Sequence, residues 1–503
     1  MRLEFLPRQV RKPEVLCFAF VLLLSYLTYF HGYWNPPAVY WDENYHIASA
    51  QKYLNGIYFM EQHPPLGKLL IALGEKVINA NPVDNAFVNT DYASDFGSTF
   101  SFAGYRFFPA LLAWLTAGLF YGIFLILTRR PLWATLLSFL YIFDNALIVH
   151  LRGAMLESTL LFEIAASILL FLLLLKHKDR GDHFRMIALW FGVALGAVFT
   201  TKLLGLIMIL LIPAALVRLY PNGRAIRSLL MFGGIGLVVT YVGVWHVHFS
   251  LGRTINPALP DAGYYQASEA SKEILAQGRT RSPAAFPVML RDALMFVGHY
   301  NRGTPRLDLC KIDENGSPFY FWPLGARAIN FRWETPNGFA HRYLYLQSNP
   351  AVWWGGLAAV IVTAFLLLGY LITSPRPQLK NPYLLLTFFG LYASYMIAVS
   401  RIGRVMYLYH YFIPLFFAFI LVGLVFLEID RFWKWTLNEE RKTWILLIFG
   451  FVIFGMFQFY RPLTYYEPLT KEQFQRRAFF SLWELECIGC PQQSSLVIPN
   501  KGN

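Results

Sequence analysis

Long apolar runs alternate with short polar connections along most of the 503-residue chain. Hydropathy read in windows of about 19 residues marks apolar segments at 15–33, 104–128, 131–149, 154–175, 186–201, 203–217, 228–248, 351–373, 383–399, 408–428 and 443–460. The pattern predicts an all-α polytopic membrane protein with about eleven spanning helices. The fifth and sixth segments are separated only by Thr200-Thr201-Lys202. Two long polar stretches interrupt the alternation, 34–103 and 249–350, and a tail follows Arg461. The chain therefore divides into an N-terminal transmembrane half (1–248) containing the first long loop, a second long loop (249–350), a C-terminal set of spans (351–460) and a tail (461–503). Within the second loop, "PVMLRDALMFVGHY" has the spacing of an amphipathic helix lying at the interface, while "DAGYYQASEASKEILAQGRTRSPAAF" is polar and expected to be mobile.

Charge fixes the orientation. With the N-terminus and its Arg2, Arg8, Arg11 and Lys12 in the cytoplasm, the cytoplasmic loops become "TRRP", "KHKDRGDHFR", "RLYPNGRAIR", "SPRPQLKN" and "EIDRFWKWTLNEERK", all basic. The opposite short loops, "HLRGA", "TTK" and "SRIGRVMYLYH", carry fewer charges. Both long loops and the tail then lie on the extracytoplasmic face, which makes that face the working surface. The composition agrees: 56% of residues are hydrophobic and 15% charged, outside the range of a soluble domain. The net charge of +13 follows from these cytoplasmic loops. No basic-aromatic module suggests nucleic acid. The first apolar segment lacks the small-residue cleavage pattern of a removable signal. Among the four cysteines, Cys17 lies in that first segment, and Cys310, Cys487 and Cys490 lie on the outer side, where a disulfide can form. A lone C-x-x-C at 487–490 is weak evidence for zinc.

The stretch "WDENYHIASAQKYLNGIYFMEQHPPLGK" (41–68) follows the first span. Asp42 can cap the helix that begins there, with Glu43 in its first turn, favoured by the helix dipole. A carboxylate at that depth can also accept a proton from an incoming hydroxyl. His63, Pro64 and Pro65 make a stiff extended turn, suited to clamp the loop and to aim His63 or Lys68 into a cleft. Further charges sit at depths where each costs about 2.5–3.5 kcal/mol unless it snorkels or pairs. Arg106 opens the second span, and Arg152 lies in a short outer loop with Glu157 one helix on. Lys202, Arg404 and His410 share the same predicted face. Cations gathered there suit an anionic headgroup such as a lipid phosphate.

These residues resemble the protein O-mannosyltransferases. The 41–68 stretch is similar to their first outer loop, with its Asp-Glu pair and His-Pro-Pro-Leu-Gly-Lys turn. In order along the chain, further resemblances follow in "FDNALIVHLRGAMLES", "TTKLLGL", "YVGVWHVHFSLG", "FYFWPLGARAINF", "QSNPAVWW", "RVMYLYHYFIPLFFAF" and "YRPLTYYEPLT". The resemblance implies a GT-C glycosyltransferase that moves a sugar, mannose by family, from a polyprenyl-phosphate donor. Transfer with inversion would go to a protein Ser/Thr hydroxyl at the extracytoplasmic face. It implies Asp42 as catalytic base, with Glu43 orienting Asp42 or the acceptor. Arg152, Lys202, Arg404 and His410 would hold the donor phosphate. His63, Pro64, Lys68, Arg106 and Glu157 would form the loop clamp or the acceptor side. The 249–350 interval is too short for the MIR domain of the eukaryotic enzymes, which implies a bacterial-type member in the inner membrane. Glu157 stands where the family has Asp, Leu151 where it has Ser, and Trp41 where it has Phe.

Two other readings stay open: the same chemistry on a lipid or glycan acceptor, as in aminoarabinose transferases, and a transporter. The first relatives carry Lys-Pro-Pro where this chain has His-Pro-Pro. A transporter would show symmetric halves with paired broken helices, and neither is visible. No cofactor is called for. An acidic pair can hold a divalent ion, but two adjacent carboxylates alone fall short of a ligand set, so a divalent metal stays open without being predicted.

Overall fold

The computed structural model describes residues 12–178, 181–255, 266–311, 314–335, 340–375, 377–432 and 434–487. Among them nine helices are long and apolar enough to cross a bilayer: Pro13–Phe30, Ala103–Thr128, Leu156–Lys176, Gly181–Phe199, Gly223–Leu251, Pro350–Ile372, Pro382–Ser400, Leu408–Glu428 and Glu439–Thr464. The protein is an integral membrane protein. The span Leu408–Glu428 is the central post, with 83% of its most apolar window buried, whereas Pro13–Phe30 and Gly223–Leu251, at 22%, stand at the rim.

Two of the expected spans take another form. The segment 131–149 breaks into Pro131–Ile142 and Asn145–Leu151, bent by 64°. Asp144 causes the break: its carboxylate caps the second helix through the Leu147 N–H and also accepts from the Trp353 indole at 2.8 Å. Beyond Lys202, whose backbone is extended, the chain makes a tight 3₁₀ stretch, Leu203–Leu210, and then a short α-helix, Leu211–Leu219. The three residues Thr200-Thr201-Lys202 therefore separate a full span from a shorter apolar helix.

The long segments between the spans fold against them. Helices Glu43–Leu54 and Leu66–Ile78 form the first loop. An isolated parallel bridge from Ile57 to Thr254 ties that loop to the end of Gly223–Leu251. The amphipathic helix materialises as Phe286–Gly303, burying Met289, Asp292, Ala293 and Val297 along one face. The polar stretch before it, expected to be mobile, contains the helix Glu269–Ala276. It is fixed because Ser268 caps that helix, and Asp292 of the amphipathic helix accepts from both the N–H and the hydroxyl of Ser268. The remainder of that stretch, 261–265, lies outside the described residues. Strands Ile329–Glu334 and His341–Leu346 pair antiparallel, and Pro468–Leu469 of the tail adds a third strand. Cys17 and Cys310 are free thiols and Cys487 is disulfide-bonded, so Cys310 is not the partner. Cys490 lies outside the described residues.

The spans Gly181–Phe199 and Gly223–Leu251 touch backbone to backbone. A Cβ at Gly192 would lie 1.9 Å from the Gly233 carbonyl oxygen, and one at Gly236 would lie 2.2 Å from that of Leu189. Small residues allow helix axes to approach this closely in lipid. Gly192→Val is therefore expected to cost about 1–3 kcal/mol or more. Thermal melting of the detergent-purified protein checks this, with Gly369→Ala, which meets open space, as the neutral control.

Candidate active site

Trp41 turns the chain from the first loop into the helix Glu43–Leu54 with a left-handed φ of 52°. That conformation costs a non-glycine residue about 1–2 kcal/mol and persists only where packing imposes it. Here the indole stacks on Phe331 at 4.9 Å and meets Tyr407 and Tyr409 edge-on. The turn leaves Asp42 at the N-cap position, but its side chain makes no capping hydrogen bond. The carboxylate instead accepts a long 3.4 Å bond from the Tyr409 hydroxyl. Capping, expected from the sequence, is thus relinquished and the oxygens face the interior of the site.

Glu43 next to it is fully buried and spent. Oε1 accepts from Arg106 Nε at 2.6 Å and from the Ala154 N–H at 2.9 Å. Oε2 accepts from Arg106 Nη2 at 2.7 Å and from the Tyr40 N–H at 3.1 Å. No lone pair remains for a substrate, so Glu43 orients Asp42 through the backbone. Arg106 also donates to the carbonyls of Trp34, Pro36 and Ala38, and lies between the rings of Tyr40 and Phe102. It is the clamp of the 34–40 segment.

Across from Asp42 stands a second group. Glu157 holds Lys202 in an ion pair and accepts from His150 Nε2 at 2.9 Å. His150 stacks on Tyr409 at 4.7 Å, and Lys202 Nζ lies 5.3 Å from the centre of the same ring. Burial raises the Asp42 pKa above its ordinary 3.8, and the Glu157 charge adds to this; Lys202, His150 and the Tyr409 bond oppose it without cancelling it.

Lys202 also lines a cavity of about 490 Å³ with His63, Arg302, Arg306 and Arg404. Burial, together with Lys202 and Lys68, holds the His63 pKa well below 6.5, so its imidazole is neutral near pH 7. Among the described residues, Arg302, Arg306 and Arg404 pair with no carboxylate. A neighbouring cavity of about 450 Å³ contains Tyr45, Glu61, Lys68, Asp91 and Tyr300, and meets the first at Thr304. Lys68 is paired with Glu61 and donates to Ser49 at 3.2 Å. The His-Pro-Pro turn docks on the 200–202 junction: the Leu66 N–H donates to the Thr200 carbonyl at 2.8 Å, and Pro64 is buried.

Two expected phosphate ligands lie elsewhere. Arg152 opens into a separate cavity between the first and last spans, because its Nη2 is drawn to the carbonyls of His31 and Gly32 and its guanidinium lies over Tyr465. His410 accepts at Nδ1 from the Tyr407 N–H, closing its own turn, and packs between Tyr409 and Trp322 rather than lining the cationic cavity. Arg302 and Arg306 were missed. They follow the amphipathic helix in "HYNRGTPRLD", where nothing in the sequence separates them from ordinary solvated arginines. Among the described residues no group of three or more His, Cys, Asp or Glu side chains is placed to hold a metal ion.

The bundle of spans, the Asp42 carboxylate on the first long loop and the cationic cavity beside it belong to a polytopic membrane protein of GT-C fold. The chain belongs to the protein O-mannosyltransferase family. The family described as dolichyl-phosphate-mannose-protein mannosyltransferase matches residues 19–250, and the C-terminal four-transmembrane region of protein-O-mannosyltransferase matches 295–483. Protein O-mannosyltransferase 1 of Drosophila melanogaster is 29% identical over 48% of this chain and 28% of its own length. Dolichyl-phosphate-mannose–protein mannosyltransferase 1 of Saccharomyces cerevisiae is 30% identical over 41% of this chain and 25% of its own. The alignments thus span less than a third of these relatives. The solved S. cerevisiae protein O-mannosyltransferase Pmt1-Pmt2 complex bound to the sugar donor shares the fold, with a TM-score of 0.79 at 16% identity, over 95% of this chain and 94% of that one.

Removing Arg106 leaves Glu43 charged and unpaired in the interior, a change expected to cost about 3–5 kcal/mol. Arg106→Ala should therefore lower the melting temperature sharply, whereas Asp42→Asn should not. Asp42 has a raised folded pKa, so its charge opposes folding above that pKa, and a neutral Asn removes the opposition. Comparison of the two melting curves at pH 7 decides the point.

Proposed function

We propose that this protein transfers mannose from a polyprenyl-phosphate donor to a Ser or Thr hydroxyl of a protein, with inversion at the anomeric carbon. The observation that carries the reading is the position of Asp42. Among the described residues its carboxylate has no ion-pair partner of its own, yet it is close enough to Lys202 to feel its charge, and Lys202 lines the cationic cavity. The named activities of the family members matched above support the donor and acceptor classes.

In this mechanism the donor phosphate occupies the cavity of Lys202, Arg302, Arg306 and Arg404, with its prenyl chain in the bilayer. The acceptor hydroxyl enters from the adjoining Tyr45–Tyr300 cavity. Its oxygen attacks the anomeric carbon from the face opposite the phosphate, and Asp42 takes the hydroxyl proton. The C–O bond to phosphate breaks, and the leaving phosphate carries its charge into the cationic cavity, where fixed donors stabilise it. His63, neutral at working pH, can donate a hydrogen bond there without adding charge. Glu157 holds Lys202 in place, and Glu43 with Arg106 sets the direction of Asp42. The loop-charge asymmetry supports a cytoplasmic N-terminus and an extracytoplasmic site, in a bacterial inner membrane the periplasmic face.

Asp42→Asn should reduce turnover by about 10²–10⁴ while the protein remains folded. Wild-type turnover by the purified variant removes Asp42 from the mechanism. Wild-type activity should fall on the acid side with unit slope, at a pH above 3.8, as Asp42 is protonated. Arg302→Gln and Arg306→Gln should each raise the donor KM by about tenfold, the value of one charged hydrogen bond. Intact-mass comparison of envelope proteins and lipids from cells with and without the gene identifies the acceptor. A hexose increment confined to glycolipid would replace the protein acceptor.

A further inference from the structure

The buried lysines and arginines follow a rule with one exception. Among the described residues these are Lys52, Lys68, Arg106, Arg152, Lys202 and Lys442. Lys52 pairs with Asp91, Lys68 with Glu61, Arg106 with Glu43, Lys202 with Glu157 and Lys442 with Asp430. Arg152, 5% exposed, has no carboxylate partner among the described residues, and its Nε has no hydrogen-bond partner among them. A buried cation without a counter-ion is costly in a low-dielectric site, and removing a partner costs more than the pair gains. The two carbonyls at Nη2 and the Tyr465 ring offset part of this but supply no net charge.

Arg152 lines a cavity of about 490 Å³ whose composition is divided. Arg461, Asn35 and Gln458 form a polar end with it, and Leu24, Leu27 and Phe454 form a hydrocarbon wall. Leu27 and Phe454 are solvent-accessible on the outside of the bundle, at 51% and 39%, so the wall opens where lipid chains would lie. Glu467 also lines the cavity and pairs with Arg461 at 3.0 Å. Two guanidiniums and one carboxylate leave a single net positive charge, the complement of a phosphodiester. The cavity shares no lining residue with the one around Lys202.

We propose that this pocket between the first and last spans binds the phosphoryl headgroup of a membrane lipid. Arg152 and Arg461 hold the phosphate, and the hydrocarbon lies along Leu24, Leu27 and Phe454. The lipid supplies the anion that Arg152 lacks and bridges the two spans at the chain's extremes. The site is separate from the donor cavity and does not depend on the transfer reaction.

Native mass spectrometry of the delipidated full chain in detergent tests this, with phosphatidylglycerol, diacylglycerol, undecaprenyl phosphate and inorganic phosphate titrated separately. Phosphatidylglycerol should bind, and Arg152→Gln should weaken it by about tenfold. Arg461→Gln, at a half-exposed position that leaves the fold intact, should weaken it by about threefold. Diacylglycerol and inorganic phosphate should not bind at this site. Undecaprenyl phosphate displacing phosphatidylglycerol in an Arg152-dependent manner would identify a prenyl carrier as the source of the same headgroup. Arg306→Gln, at an exposed position on the wall of the other cavity, should leave phosphatidylglycerol binding unchanged. The proposal fails if Arg461→Gln binds phosphatidylglycerol as the wild type does, or if Arg306→Gln removes the same binding. Arg461→Gln decides alone should Arg152→Gln not fold.

Discussion

The Glu43–Arg106 pair is the constraint on which the site depends. All acceptor positions of Glu43 are filled, by the guanidinium and by two backbone N–H groups from segments far apart in sequence. Arg106 in turn gathers three carbonyls of the connection that follows the first span. A loop that would otherwise be free at the membrane surface becomes a fixed platform. Asp42, one residue away, can then point inward without bonding to its own helix.

The same economy governs the other charges. Each buried lysine near the site has its own carboxylate, so little net charge is buried, and the exposed arginines at 302 and 306 place their charge at a cavity wall instead. Glu157 is the pivot of this arrangement. It holds Lys202 on one side and His150 on the other, and through His150 it braces the tyrosine that touches Asp42. A longer acid at position 157 than the Asp of the family pattern is compatible with a lysine approached from across a span.

Much of the fold was legible in the sequence because bilayer crossing requires long apolar runs, and such runs are hard to disguise. The break at Asp144 was not, because an aspartate inside an apolar run reads equally as a buried partner or a cap. Tyr409 and His150 escaped notice because an aromatic or a histidine on a spanning helix carries no pattern distinguishing packing from function. Asp42, Lys202 and Arg404 were visible as charges in costly places. Arg152 and His410 were visible for the same reason, yet depth alone cannot say which cavity a side chain enters. That depends on the packing of segments hundreds of residues apart.

The short strand Pro468–Leu469 completes a sheet whose first strand holds Phe331 under Trp41, and Arg332 of that strand donates to the Val39 carbonyl. The carboxylate that begins the first loop is thus braced by residues that emerge much later from the ribosome, under a sheet closed by the tail. The order of biogenesis is therefore inverted relative to the order of function. The N-terminal loop is made early, and the turn at Trp41 and Asp42 acquires its roof only once the last span is in place. A chain still being translated therefore holds an unfinished site, and the turn at Trp41 and Asp42 is braced only after the residues that follow the last span have been made.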